Sequence, residues 1–297
     1  MSRLEKKLID RRFVEIGDGL SLHYAECGEG PPVIFVHGSG PGASGHSNFA
    51  DNMRAFARAG FRAIAVDLLG YGDSSKPTDK NYTLDLHVPA LKQFVDKLKL
   101  SRVSLVGNSL GGAVSMRFAM DYPEFMDRLV LLAPGGLAPR LRYLRMPGIQ
   151  AMMWSQLGPG GPTFKKLQGV FDKQLFDPSQ LSRELVEQRF HVALTQPRQV
   201  YKTLKVDNLV SRLGEIHCPT LVFWGTDDKF CPVDTAIPLT QGVADCRTIL
   251  IARCGHWAQV EHPRLFNREA ISFLSGDAVK GESAVEALGN RLISAAA

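Results

Sequence analysis

The stretch VSLVGNSLGGAVS, residues 103–115, decides how the chain folds. Four strand-forming residues run into Gly107, and Ser109 stands between glycines two positions away on either side. Core packing gives no reason for Gly107-Asn108-Ser109-Leu110-Gly111. A strand that turns sharply into a helix, with the serine at its apex, does give one. The tight turn admits only small neighbours, and it holds the hydroxyl out beside a helix N-terminus that favours negative charge.

Outward from this turn the chain alternates between strand and helix patterns, as a parallel α/β sheet requires. FVEI (13–16) and LSLHYAEC (20–27) predict a hairpin around Gly17-Asp18-Gly19. PPVIFVHG (31–38) and FRAIAVD (61–67) predict buried strands, with a helix from about Ser47 to Ala59 between them. Residues 85–98 carry helical periodicity. RLVLLA (128–133), TLVFWG (220–225) and TILIA (248–252) continue the sheet, and a helix at about 263–274 closes it. Between about Gly135 and Leu213 no clear strand appears, which predicts a helical insertion. The expected organisation is a core at 1–134 and 214–276, a helical cap at 135–213, and a tail at 277–297.

Composition narrows the function. With 44% hydrophobic and 22% charged residues, 297 residues suit one large domain or a core with an insertion. No apolar run is long enough for a membrane span. The charged start MSRLEKKLIDRR lacks the apolar stretch of a signal peptide, and the five cysteines are scattered without a CxxC pair. A cytoplasmic protein with reduced thiols is expected, without a metal site. The net charge of +5 is spread out and comes with no nucleic-acid module, so it fits attraction of an anionic small molecule. Assembly is left open, a homo-oligomer included.

A nucleophilic serine needs a base, and the base needs an orienting acid. GTDDKFCP (225–232) supplies Asp227 and Asp228, and CGHW (254–257) supplies His256. Both follow predicted strands, where open parallel sheets gather their sites. His37, His191, His217 and His262 read as structural or solvated. The backbone N–H of Leu110 is one oxyanion donor by the geometry of the turn. The second is expected from the glycine-rich HGSGPGAS loop (37–44), through the main chain of Ser39. That loop lacks the lysine and hydroxyl pattern of a phosphate loop, and no GxGxxG opens a helix, so no cofactor is implied.

These residues resemble the α/β-hydrolase superfamily over about residues 11–275, which implies its fold: a mostly parallel central sheet flanked by helices, with an inserted helical cap. HGSGPGASGHSNF, GNSLGG, the QRF around Arg189, and GHWAQVEHPRLFN resemble the meta-cleavage product hydrolases more closely. Those enzymes hydrolyse a carbon–carbon bond in ring-opened aromatic compounds. The resemblance implies a triad of Ser109, His256 and Asp228, with Asn48 and Asn108 lining the site. It also implies that Arg189 and Trp257 bind the 2-keto acid end of the substrate. The chain departs from the family pattern at Ser39, His46, Leu110, Thr226, Cys231 and Val260. Related serine esterases share this frame, so the expected substrate is an anionic keto acid or, alternatively, an ester.

Overall fold

A computed structural model describes residues 9–276; the predicted tail at 277–297 lies outside them. One sheet of eight strands forms the frame: β1 (Asp10–Gly17), β2 (Leu20–Cys27), β3 (Pro32–Val36), β4 (Arg62–Val66), β5 (Val103–Asn108), β6 (Met126–Leu132), β7 (Thr220–Gly225) and β8 (Cys246–Ile251). Their order across the sheet is β1-β2-β4-β3-β5-β6-β7-β8. The β1–β2 and β2–β4 pairs are antiparallel, and every other neighbouring pair is parallel.

Alternation along the strands explains why helices must cover both faces. Val33, Phe35, Ala63, Ala65, Val106 and Val130 point to one face and join one apolar cluster. Their neighbours Ile34, Val36, Ile64, Val66, Leu105 and Leu129 point to the other and join a second. A sheet apolar on both faces is stable only when both are buried. Helices α1 (Gly45–Arg58) and α11 (Pro263–Ser275) cover the first face, with Phe49, Phe56 and Phe266. Helices α2 (Leu84–Lys97) and α3 (Leu110–Asp121) cover the second.

The strand order reverses at β3, which lies between β4 and β5. The chain leaves β3 into α1 and leaves β5 into α3, and the two helices go to opposite faces. A crevice therefore opens beyond the C-terminal ends of β3 and β5, where ligands bind in open α/β sheets. The register pairs Val36 with Gly107, so the loop after His37 runs beside Ser109.

Between β6 and β7 the described chain is helical and irregular: α4 (Arg140–Leu144), α5 (Pro147–Leu157), α6 (Phe164–Gln174), α7 (Arg183–Leu194) and α8 (Arg198–Thr203). Thr163 caps α6 and Ser182 caps α7, each side chain accepting an N–H of the first turn. Leu167, Phe171 and Val186 from these helices pack with Trp257 in a third, smaller cluster. After β7 come α9 (Ala236–Gly242) and, past β8, the single-turn α10 (Ala258–Glu261). Among the described residues no helix is long and apolar enough to cross a membrane. The five cysteines are free.

Candidate active site

Ser109 sits between β5 and α3 with φ 56° and ψ −116°. A non-glycine residue in such a conformation costs on the order of 1–3 kcal/mol, which the surroundings must offset. They do so through backbone bonds. The Ser109 N–H donates to the Leu132 carbonyl (3.0 Å), and the Ser109 carbonyl accepts from Ala113 (3.1 Å) and Gly135 (2.9 Å). The flanking glycines answer to close approach. A Cβ on Gly111 would lie 2.0 Å from the Val36 carbonyl oxygen, and one on Gly107 would lie 2.5 Å from that of Gly111.

The loops after β7 and β8 are laced together, which brings the acid to the histidine. Thr226 and Asp227 donate their N–H groups to the Ile251 and Cys254 carbonyls, both at 2.9 Å. The Asp228 carboxylate is buried: Oδ1 accepts from the Phe230 (2.7 Å) and Cys231 (2.9 Å) amides, and Oδ2 lies 2.7 Å from His256 Nδ1. An ionised carboxylate only accepts, so Nδ1 carries the hydrogen and Nε2 is left with its lone pair. Phe230 stacks on the His256 ring at 5.0 Å. Asp227 is exposed and accepts from its neighbour Thr226 (2.8 Å).

Two residues outside the predicted set hold this histidine loop. Gln174, at the end of α6, accepts the His256 N–H at 2.7 Å. Glu261 accepts the N–H of Gly255 (2.8 Å) through one oxygen and that of Phe176 (2.7 Å) through the other. Neither carries a sequence signal, because each role depends on how the helices after β6 dock onto the core.

The Ser39 loop is stapled at both ends to the segment after β4. His37 Nδ1 donates to the Gly38 carbonyl (2.7 Å), and its Nε2 accepts from the Leu68 amide (3.0 Å). At the other end Asp67 Oδ1 accepts from the Gly45 amide (2.7 Å). His23, Asp67 and Asp73 bring possible metal ligand atoms together, yet Asp67 Oδ2 already takes the Asp73 amide (2.9 Å) and faces His23 Nδ1 (2.8 Å). The cluster reads as a clamp on the loop.

Burial pulls His37 down to about 4 and His87 down to about 3, so both are neutral in the fold. Unfolded histidines titrate near 6.5, so below that pH the unfolded chain binds more protons than the folded one. Their contribution to stability is thus complete above about 6.5 and is lost as pH falls. Each costs up to about 1.4 kcal/mol per pH unit below that point. The melting temperature should drop between pH 7 and pH 5 in a thermal scan. It should drop less in His87→Phe, which removes one of the two groups.

Arg189, on α7, is 1% exposed. Its Nη1 donates to Asn48 Oδ1 (2.9 Å) and its Nε to the Pro41 carbonyl (3.2 Å). The guanidinium lies 4.8 Å from the Trp257 ring centre and 5.3 Å from that of Phe171. Burial draws its pKa down to about 9, still cationic at neutral pH. Among the described residues no carboxylate pairs with it. A buried, unpaired cation costs several kcal/mol unless an anion completes it.

Two lobes meet at Ser109. A polar lobe of about 10 Å³ is lined by Asn48, Asn108, Gln174, Arg189, His256 and Trp257. Asn108 Oδ1 and Gln174 Oε1 are buried there without a partner among the described residues. An apolar lobe of about 110 Å³ is lined by Ile149, Met152, Met153, Leu204 and Val206, with Leu110 and Cys231 near the serine. Ser39 lines both lobes. Leu110 opens α3, so its N–H is one of the four that a helix leaves free. All nine residues predicted from the sequence therefore meet around one cavity or, for Asp228, directly behind it.

The sequence profile described as the alpha/beta hydrolase fold matches residues 31–263. The chain belongs to that family. This hydrolase is 37% identical to the 2-hydroxy-6-oxononadienedioate/2-hydroxy-6-oxononatrienedioate hydrolase 1 of Pseudomonas putida, over 89% of this chain and 96% of that one. It is also 37% identical to the 2-hydroxy-6-oxo-6-phenylhexa-2,4-dienoate hydrolase of Comamonas testosteroni, over 85% of this chain and 91% of its relative. A meta-cleavage product hydrolase from Pseudomonas fluorescens superposes with a TM-score of 0.78 at 26% identity, covering 90% of this chain and 98% of the other. The α/β-hydrolase fold expected from the sequence is thus the fold observed.

Proposed function

We propose that this hydrolase cleaves the carbon–carbon bond of a 2-hydroxy-6-oxo-hexa-2,4-dienoate-type compound, using Ser109, His256 and Asp228. The observation that carries the reading is Arg189: a buried cation without a carboxylate partner among the described residues, in a lobe that meets the serine. An ester gives up an alkoxide and needs no such group. Expelling carbon requires a place for the electron pair, and a conjugated 2-keto acid held at Arg189 provides it.

The geometry supports the following steps. The substrate carboxylate and 2-oxo group occupy the polar lobe against Arg189, Asn48 and Trp257, and the acyl end lies in the apolar lobe. The dienol becomes the ketone, gaining a proton on the carbon next to the 6-oxo group. Ser109 Oγ then attacks that carbonyl and passes its proton to His256 Nε2, while Asp228 stabilises the imidazolium. The N–H groups of Leu110 and Ser39 receive the oxyanion. The carbon–carbon bond breaks, its electrons entering the keto-acid system, whose 2-oxygen takes the proton back from His256 Nε2, and water then releases the acyl group. The helical segment 135–213 serves as the cap that shapes both lobes and excludes solvent.

A substrate carboxylate paired with a buried guanidinium gains about 1.5–3 kcal/mol. Arg189→Ala is therefore expected to lower kcat/KM on a keto-acid dienolate by about ten- to 150-fold. Cleavage of a small neutral p-nitrophenyl ester should change by less than about threefold. Equal losses on both substrates would remove the keto-acid role from Arg189.

A further inference from the structure

The reaction cavity opens to solvent through its apolar lobe, where Arg140, Leu144 and Lys205 are exposed lining residues. In the polar lobe Asn48, Asn108, Arg189 and Trp257 are all buried. An acyl group esterified to Ser109 fills the apolar lobe and stands between the polar lobe and that mouth. Turnover still needs two exchanges at this stage. The anionic first product has to leave the polar lobe, and a water molecule has to arrive.

A second cavity, of about 390 Å³, lies among α1, α7 and α10, and Asn48 lines it as well as the polar lobe. Gln259 also lines it. This side chain is 1% exposed, and neither its amide nitrogen nor its amide oxygen has a partner among the described residues. His46 Nδ1, on the same cavity, is likewise buried and unpartnered. Buried polar atoms are satisfied by protein or by ordered water. Among the described residues the protein does not supply the partners, so the cavity is suited to water and to a small hydrogen-bonding solute in transit.

We propose that this polar cleft is the exchange passage of the reaction cavity, with the hydrogen-bonded Asn48–Arg189 pair as its inner gate. The first product leaves through it, and the hydrolytic water comes in. That water bonds to the acyl carbon as His256 Nε2 takes one of its protons. The acyl–Oγ bond then breaks, and the proton passes to Ser109 Oγ, restoring the hydroxyl. The proposal rests on the acyl-enzyme reading above.

Gln188 is an exposed lining residue of the cleft, and Gln188→Trp obstructs it without touching the reaction cavity. The test is rapid mixing with a coloured dienolate, comparing the first turnover with the steady state. The first-turnover bleaching rate should stay within about twofold of wild type, while the steady-state rate should fall about tenfold. Gln259→Leu should act in the same direction, and Gln188→Trp stands alone if that buried variant does not fold. A steady-state rate within twofold of wild type in Gln188→Trp would overturn the passage. So would equal losses in both phases, since the cleft would then act before acylation. A wild type inert to both dienolate and ester would contradict the functional reading itself, and with it the passage.

Discussion

Ser109→Ala should lower kcat on any substrate of this enzyme by at least about ten-thousand-fold, with little change in substrate affinity. In the proposed mechanism the Ser109 hydroxyl is the group that becomes esterified. Cys231 lines the same lobe, but burial holds its thiol well above the ordinary range and therefore un-ionised. Alanine at position 109 also keeps the small side chain that the turn tolerates, so the fold should persist. A dienolate should therefore bind to the variant without yielding the 2-hydroxydienoate product, whose own absorbance should not appear. Single-turnover absorbance measurements check this, and retention of more than a few per cent of activity would remove Ser109 from the mechanism.

The second large effect separates two adjacent carboxylates. Asp228→Asn should lower kcat by about ten-thousand-fold, because an amide facing Nδ1 favours the wrong tautomer and no longer stabilises the imidazolium. Asp227→Asn should leave kcat within about twofold, since that side chain is exposed and its hydrogen bond among the described residues is to the adjacent Thr226. The two variants measured side by side check the assignment. The opposite pattern would place the acid at Asp227.

How far the sequence could be read depends on whether a role is local. The turn at Ser109 is local: its glycines are demanded by backbone atoms of the same strand and helix and of the adjoining β3. The buried strands were equally legible, because a sheet covered on both faces reads as continuous apolar runs. Element boundaries differ from the expected ones for local reasons. Helix α1 starts at Gly45, not Ser47, because Ser44 and Ser47 form a capping box. Strands β6 and β8 begin two residues earlier than predicted, at Met126 and Cys246, where their side chains are polar or lie near the sheet end.

The chemistry assigned by resemblance was legible only as residue types. Nothing local says that Arg189 faces inward, since its neighbours Gln188 and Phe190 are exposed and half-buried. Its burial comes from docking α7 against the Pro41–Gly42 turn, where a Cβ on Gly42 would lie 1.8 Å from the Arg189 carbonyl oxygen. Gln174, Glu261 and the Asp67 clamp are not legible in the sequence for the same reason. Each acts across more than twenty residues of sequence or between separate loops, and no spacing rule marks it.

The central claim is that the bond broken is carbon–carbon. Its most direct test mixes the purified enzyme with a coloured 2-hydroxy-6-oxo-dienoate and, in parallel, a p-nitrophenyl ester. Fast bleaching of the dienoate, with one equivalent each of carboxylic acid and 2-hydroxydienoate as products, is the expected result. A dienoate left coloured beside rapid release of p-nitrophenol would contradict it and make the protein an esterase.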